Sequence, residues 1–160
     1  MKSRIVVLSL IAAGLMSPMS ASALDTYSLG VSATVLGKCK FTQAAGTTLT
    51  LTNVVGGIDP SSATSATGSA NITYKCTTSQ APAFTTDTGT HVSGGNMRVA
   101  DAGNANFMIY TVSLTSGGAG SGFGAGTDKT LVVGGTITAA NFAAAPAGPY
   151  TDTVVISVSP

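Results

Sequence analysis

The 160-residue sequence has no tryptophan, no glutamate, one histidine and two cysteines, and only 8% of its residues are charged. Each scarcity excludes something. Without glutamate, paired-carboxylate catalysis would have to draw on Asp25, Asp59, Asp87, Asp101, Asp128 and Asp152, which are spread along the chain with no shared local motif. No Asp-x-Asp calcium loop occurs. The single histidine, His91, stands among Thr, Gly and Ser with no nucleophile motif beside it, and it reads as a surface loop residue rather than a catalytic base. There is no Gly-x-Ser-x-Gly. The glycines between 117 and 126 do not fit Gly-x-Gly-x-x-Gly and have no βαβ context, so they read as a loop. Lys and Arg form no cluster of the kind that phosphate binding needs, which argues against a nucleic-acid partner. The expectation is a protein that is not an enzyme, with no catalytic residue, no metal ligand and no cofactor.

What is present begins with a leader. Lys2 and Arg4 precede an apolar run from Ile5 to Met16, Ser17-Pro18 breaks it, and Ala21-Ser22-Ala23 is a small-x-small cleavage pattern. Residues 1–23 therefore read as a secretory signal peptide, too short in its apolar run to span a bilayer. No later stretch is long and apolar enough to cross a membrane. Of seven Lys and Arg, two lie in the leader, so five basic residues face six aspartates beyond it and the remainder carries about −1. About 137 residues remain, enough for one domain. Ala, Gly, Ser and Thr dominate. Thr and Val recur in alternation, which favours a β protein with Gly- and Ser-rich turns over a disordered chain.

Cys39 and Cys76 both follow the leader. In an oxidising compartment a disulfide between them is the default. A metal pair or two free thiols are the alternatives, and no His or Asp cluster accompanies the cysteines to support the first.

Along the chain, Tyr27, Leu29, Val31, Ala33 and Val35 are apolar at every second position, which predicts a long strand running toward Cys39 and Phe41. Residues 47–54, with Leu49 and Leu51 on one face, predict a second strand, and 61–69 a loop of small residues. Further strands are expected at 70–76, 82–86, 97–100 and 106–114. One more is expected at 129–138, interrupted by Gly134-Gly135. The alanine-rich 139–147 suits a helical turn limited by Pro146. The clearest strand is the last. Gly148-Pro149 opens it, Tyr150 follows, and Val154, Ile156 and Val158 alternate onto one face. No strand follows to pair its second edge. An open apolar edge is a liability, so the expectation is that another chain covers it. Short strands at this spacing without helices between them suggest a sandwich.

Several of these features together resemble the spore coat U domain family, which includes pilins of the archaic chaperone–usher pathway. The features are the leader, the alternating strand into Cys39, the run Ala70-Asn71-Ile72-Thr73-Tyr74 before Cys76, Arg98, and Ile109-Tyr110-Thr111-Val112. Most specific is Ala147-Gly148-Pro149-Tyr150-Thr151-Asp152-Thr153, running into the final strand. Where the family often carries Trp-Gly, this chain has Phe123-Gly124.

The resemblance implies an all-β fold: an incomplete immunoglobulin-like β-sandwich lacking its final strand and completed by donor-strand complementation. It implies residues 24–36 as the donor segment, with Tyr27, Leu29, Val31, Ala33 and Val35 on the inserted face, and 37–160 as the pilin domain. Tyr150, Val154, Ile156 and Val158 would lie beside the acceptor groove. Residues 24–38 must supply both the donated strand and the subunit's own first strand. At about 3.3 Å per residue they span about 50 Å, which fits two short strands. The implied partners are identical subunits in a linear homopolymer, a periplasmic chaperone and an outer-membrane usher. The implied location is the cell surface, reached through the periplasm, with a role in adhesion or biofilm formation. A non-pilus coat protein on the same fold and a single-domain adhesive module are the alternative readings.

Overall fold

The computed structural model describes residues 24–160; the expected leader, residues 1–23, lies outside the described residues. The chain divides into Met1–Thr34 and Val35–Pro160. In the first unit, residues 24–34 form neither helix nor strand. Leu24, Tyr27, Leu29 and Val31 are exposed, Tyr27 at 93%. The strand expected over 27–35 is thus not formed. Period-two alternation decides which side chains share a face, but a strand exists only where a second strand takes up its backbone groups. Residues 24–34 have no such partner among the described residues.

The second unit is an antiparallel, all-β fold of the immunoglobulin-like kind. Its strands are β1 (Cys39–Phe41), β2 (Ala66–Cys76), β3 (Ala83–Thr86), β4 (Met97–Asp101), β5 (Phe107–Thr115), β6 (Lys129–Ile137), β7 (Tyr150–Thr151) and β8 (Ile156–Ser159), with one short helix, α1 (Ala139–Phe142). They form a six-stranded sheet in the order β1-β2-β6-β5-β4-β7 and a two-stranded sheet of β3 and β8. β2, β5 and β6 each alternate buried and exposed residues, the pattern of a sheet with one face on a core and one in water.

The core has two parts. One is built on Ala66, Met108, Tyr110, Ile137 and Phe142, the other on Tyr74, Cys76, Leu131 and Val133; Val112 packs against both. Tyr74 ties the two sheets together. Its ring meets Phe84 of β3 edge-on at 4.9 Å between centroids, and its hydroxyl donates to the Gly118 carbonyl at 2.7 Å.

Three further expectations are corrected. β6 runs unbroken through Gly134-Gly135, because these glycines admit a close approach instead of ending the strand. A Cβ at Gly135 would stand 2.7 Å from one methyl of Leu49 and 2.8 Å from one of Leu51. Residues 47–54 are not a strand. They meet β2 through a single bridge, Thr52 with Thr67, whose two backbone bonds are 3.0 and 2.9 Å. Nine residues lie between Thr42, bonded to Thr73, and Thr52, whereas β2 has only five between Thr73 and Thr67. The surplus bows outward and breaks the ladder. The last strand is split into β7 and β8, which belong to different sheets. No regular ladder holds residues 152–155 as they pass from one sheet to the other.

Candidate functional site

β8 has one strand neighbour among the described residues, β3, with Thr86 opposite Ile156 and Phe84 opposite Val158. The ladder continues one step further, where the Asp87 N–H donates to the Val155 carbonyl at 3.0 Å. Bonded and non-bonded pairs alternate in an antiparallel ladder. Residues 157 and 159 therefore exchange bonds with β3, while the backbone groups of Ile156 and Val158 point to the opposite, open edge. The side chains of the same two residues are half-buried, and Ile156 packs on the second core cluster. The edge is thus apolar beneath and unpaired along its side.

An open cleft of about 1450 Å³ runs beside this edge. One wall is the 47–52 segment, with Leu49 and Leu51. The other is 150–156, with Tyr150, Val154 and Ile156. The floor is the inner face of the large sheet, including Ile72, Val133, Val112 and Met108. Val158 continues the second wall on β8 but does not line the cleft. The volume exceeds the roughly 300–1,000 Å³ of a small-molecule pocket. A free strand edge along an apolar floor suits an extended polypeptide: main-chain bonds can extend the ladder while alternate side chains reach the floor.

Asp152 is the only charged residue among those lining the cleft. Its side chain is 2% exposed. Its carboxylate accepts hydrogen bonds from the Thr90 backbone N–H at 2.9 Å, from the Thr90 hydroxyl, and from the Tyr110 hydroxyl at 2.7 Å; His91 Nδ1 lies 3.1 Å away. Desolvation pushes this carboxyl up, but the bonds from Thr90, Tyr110 and the Thr153 and Thr90 backbones outweigh it and hold it below the usual carboxylate range. Burial, and then the carboxylate beside it, raise the Tyr110 phenol. Oδ1 takes the Thr90 and His91 contacts and Oδ2 takes Tyr110, so both carboxylate oxygens hold structure. His91 lies in a turn, as expected, and its partly buried ring is part of this cluster. Its backbone carbonyl also accepts from Arg98 Nε at 2.8 Å, and the Arg98 guanidinium lies 4.1 Å over the Phe107 ring.

Away from the cleft, Cys39 and Cys76 stand directly opposite each other in the β1–β2 register and are joined by a disulfide. Among the described residues no group of three or more His, Cys, Asp or Glu could hold a metal ion.

A family model described as Spore Coat Protein U domain matches residues 25–157. The chain belongs to that family. The match takes in both cysteines, both walls of the cleft and the Asp152 cluster. A search of curated proteins returned no match to the chain. The Asp in the most specific block of this Spore Coat Protein U domain is the one at the centre of the hydrogen-bond cluster. Tyr150 in the same block donates its hydroxyl to the Pro146 carbonyl at 3.0 Å. Phe123 is exposed, with Lys40 Nζ 5.6 Å from its ring centroid. No helix among the described residues is long and apolar enough to cross a membrane.

Proposed function

We propose that this protein is a structural subunit of a surface pilus, assembled by donor-strand exchange, and that its activity is assembly rather than catalysis. The observation that carries the reading is the open edge of β8, with the backbone groups of Ile156 and Val158 without a strand partner among the described residues, beside an apolar cleft. The family is one associated with chaperone–usher pilus subunits and is not an enzyme family.

In this reading residues 1–23 direct secretion and 37–160 form the incomplete domain. Residues 24–36 are the donor, and Tyr27, Leu29, Val31, Ala33 and Val35 enter the cleft of the next copy. Tyr150, Val154, Ile156 and Val158 border the accepted strand. A periplasmic chaperone fills the cleft before the donor does, and an outer-membrane usher carries the linear homopolymer to the surface. Leu24, Tyr27, Leu29, Val31 and Val35 are exposed in the single chain, which supports a segment whose apolar face is buried elsewhere. Burying a large aliphatic side chain stabilises by about 1.5–3 kcal/mol. Several of them, with a backbone ladder, favour association, though area alone does not set affinity.

The test is electron microscopy of cells expressing the chain with its chaperone and usher, together with gel electrophoresis of the surface fraction without heating. Thin fibres and a ladder of denaturant-resistant multimers are expected. The family's description as a spore coat domain favours a second reading, a coat protein that uses the same strand addition. Multimers in a continuous layer without fibres would select it, and monomers alone would defeat both.

A further inference from the structure

We infer that Asp152 is a positioning residue for strand uptake: its carboxylate holds the crossover at residues 152–155 so that the open edge of β8 meets the cleft in one register. The inference rests on the reading that the cleft accepts a strand. Thr151 belongs to the large sheet through its pairing with Ala100, and Val155 belongs to the small sheet through its bond with Asp87. The residues between them have no ladder of their own, so side chains fix their path.

Two carboxylates do this. Asp152 ties the near end of the crossover to Thr90, His91 and Tyr110, as described above. Asp87 ties the far end, accepting from the Val155 N–H at 2.9 Å and from the Gly89 N–H at 3.1 Å. Between these anchors lies Val154, which packs on the first core cluster and lines the cleft. Just past them Ile156 packs on the second cluster and lines it too. A rotation of the crossover would shift both side chains and the unpaired backbone groups beside them.

The 87–91 turn fits around the carboxylate. Gly89 has φ +72°, and a Cβ there would stand 2.2 Å from Asp152 Oδ2, so no side chain fits. A buried carboxylate is costly unless its hydrogen bonds are made. Here the donors come from two separate places, the turn at Thr90 and His91, and Tyr110 of β5, both far from Asp152 in sequence. The carboxylate therefore joins the near end of the crossover both to the 87–91 turn and to β5.

The experiment uses the purified full chain and, as probe, a synthetic peptide with the sequence of residues 24–37. It compares Asp152→Ala, Asp152→Asn and Tyr110→Phe with the unmodified chain. Hydrogen exchange of residues 152–159 is read in the free protein and the rate of peptide uptake in the mixture, with circular dichroism as the check on folding. In Asp152→Ala, exchange should rise and uptake fall, each by about ten- to a hundredfold, the size of a lost charged hydrogen-bond set. Asp152→Asn keeps the shape and can still bond to Thr90, His91 and Tyr110. It should restore both readouts to within about threefold, because neutral bonds replace charge-assisted ones. Unchanged exchange and uptake in Asp152→Ala would overturn the inference, as would an Asn variant no better than Ala. If Asp152→Ala does not fold, Tyr110→Phe, which removes one donor and keeps the carboxylate, decides: faster exchange confined to 152–159 supports the inference and unchanged exchange overturns it. If the unmodified chain takes up no peptide, the strand-accepting reading fails. In that case the exchange data alone decide whether Asp152 holds the crossover.

Discussion

β6 and β8 are written in the same alphabet of β-branched and small residues, yet β6 lies between β2 and β5 while β8 has β3 alone among the described residues. β6 buries Leu131, Val133 and Ile137; the apolar residues of β8 are only half-buried. The same alternation therefore yields a finished core in one place and an open edge in the other. What differs is the number of neighbours, which is a property of the whole chain's topology. A two-stranded sheet is marginal alone, and here β3 and β8 are held by packing on the large sheet through Tyr74 and Phe84 and by the Asp87 and Asp152 anchors. The large sheet holds most of the buried core, and the small sheet leaves one edge open beside the cleft.

The comparison can be broken first in the finished half. Removing the disulfide by Cys39→Ser with Cys76→Ser opens a loop with a separation of 37 residues and should cost about 4 kcal/mol on the chain-entropy account. Denaturant melts of the free subunit would show it, and a loss below about 1 kcal/mol would mean that β1 is held by other contacts. Next, Leu131→Ala on β6 should destabilise by about 2–5 kcal/mol. Val158→Ala on β8 removes less from a half-buried site and should cost about 1 kcal/mol in the free subunit. Equal losses at the two positions would erase the contrast between the sheets.

The Asp152 cluster predicts a pH dependence with a definite sign. Its carboxyl titrates below its unfolded value, so its contribution is present above about pH 4, the ordinary aspartate range, and is lost as the pH falls through the folded value. Tyr110 is shifted the other way, so its contribution is full below about pH 10 and declines as the pH rises further. Stability of Asp152→Asn should have a shallower acid slope, with Asp59, Asp101 and Asp128, also held low by hydrogen bonds, supplying the remainder; an identical slope would place the acid sensitivity elsewhere. The smallest effect belongs to the exposed rim. Phe123→Ala loses a contact with Lys40 worth about 0.5–1 kcal/mol at a surface site, and should leave strand uptake unchanged.

Much of this was legible in the residues. The apolar alternation of 70–76, 106–114 and 129–138 marks three central strands because each of them has neighbours that complete the pattern. The same signal misleads at 27–35 and 47–54, where the alternation is as clear but no continuous ladder forms within the chain. Gly134-Gly135 reads as a break because sequence shows the missing side chains and not Leu49 and Leu51 lying over Gly135, or Ser113 against Gly134. The final stretch reads as one strand because Val154, Ile156 and Val158 keep their period through the crossover. Local pattern does not reveal a change of sheet. The Asp152 cluster was half visible: the Tyr-x-Asp-Thr block marks the aspartate, but Thr90 and His91 lie some 60 residues away with nothing around them to announce a partner.

The central claim is that the N-terminal segment of one copy completes the cleft of another, and Leu29→Asp tests it most directly. A carboxylate there would have to be buried without a partner, at a cost of several kcal/mol. Leu29 is exposed in the single chain, so the variant should fold, form the disulfide between Cys39 and Cys76, and bind its chaperone. When it is purified from the periplasm and assayed for multimers resistant to denaturant, the account predicts monomers where the unmodified chain gives a ladder. A ladder of normal length from Leu29→Asp would contradict it.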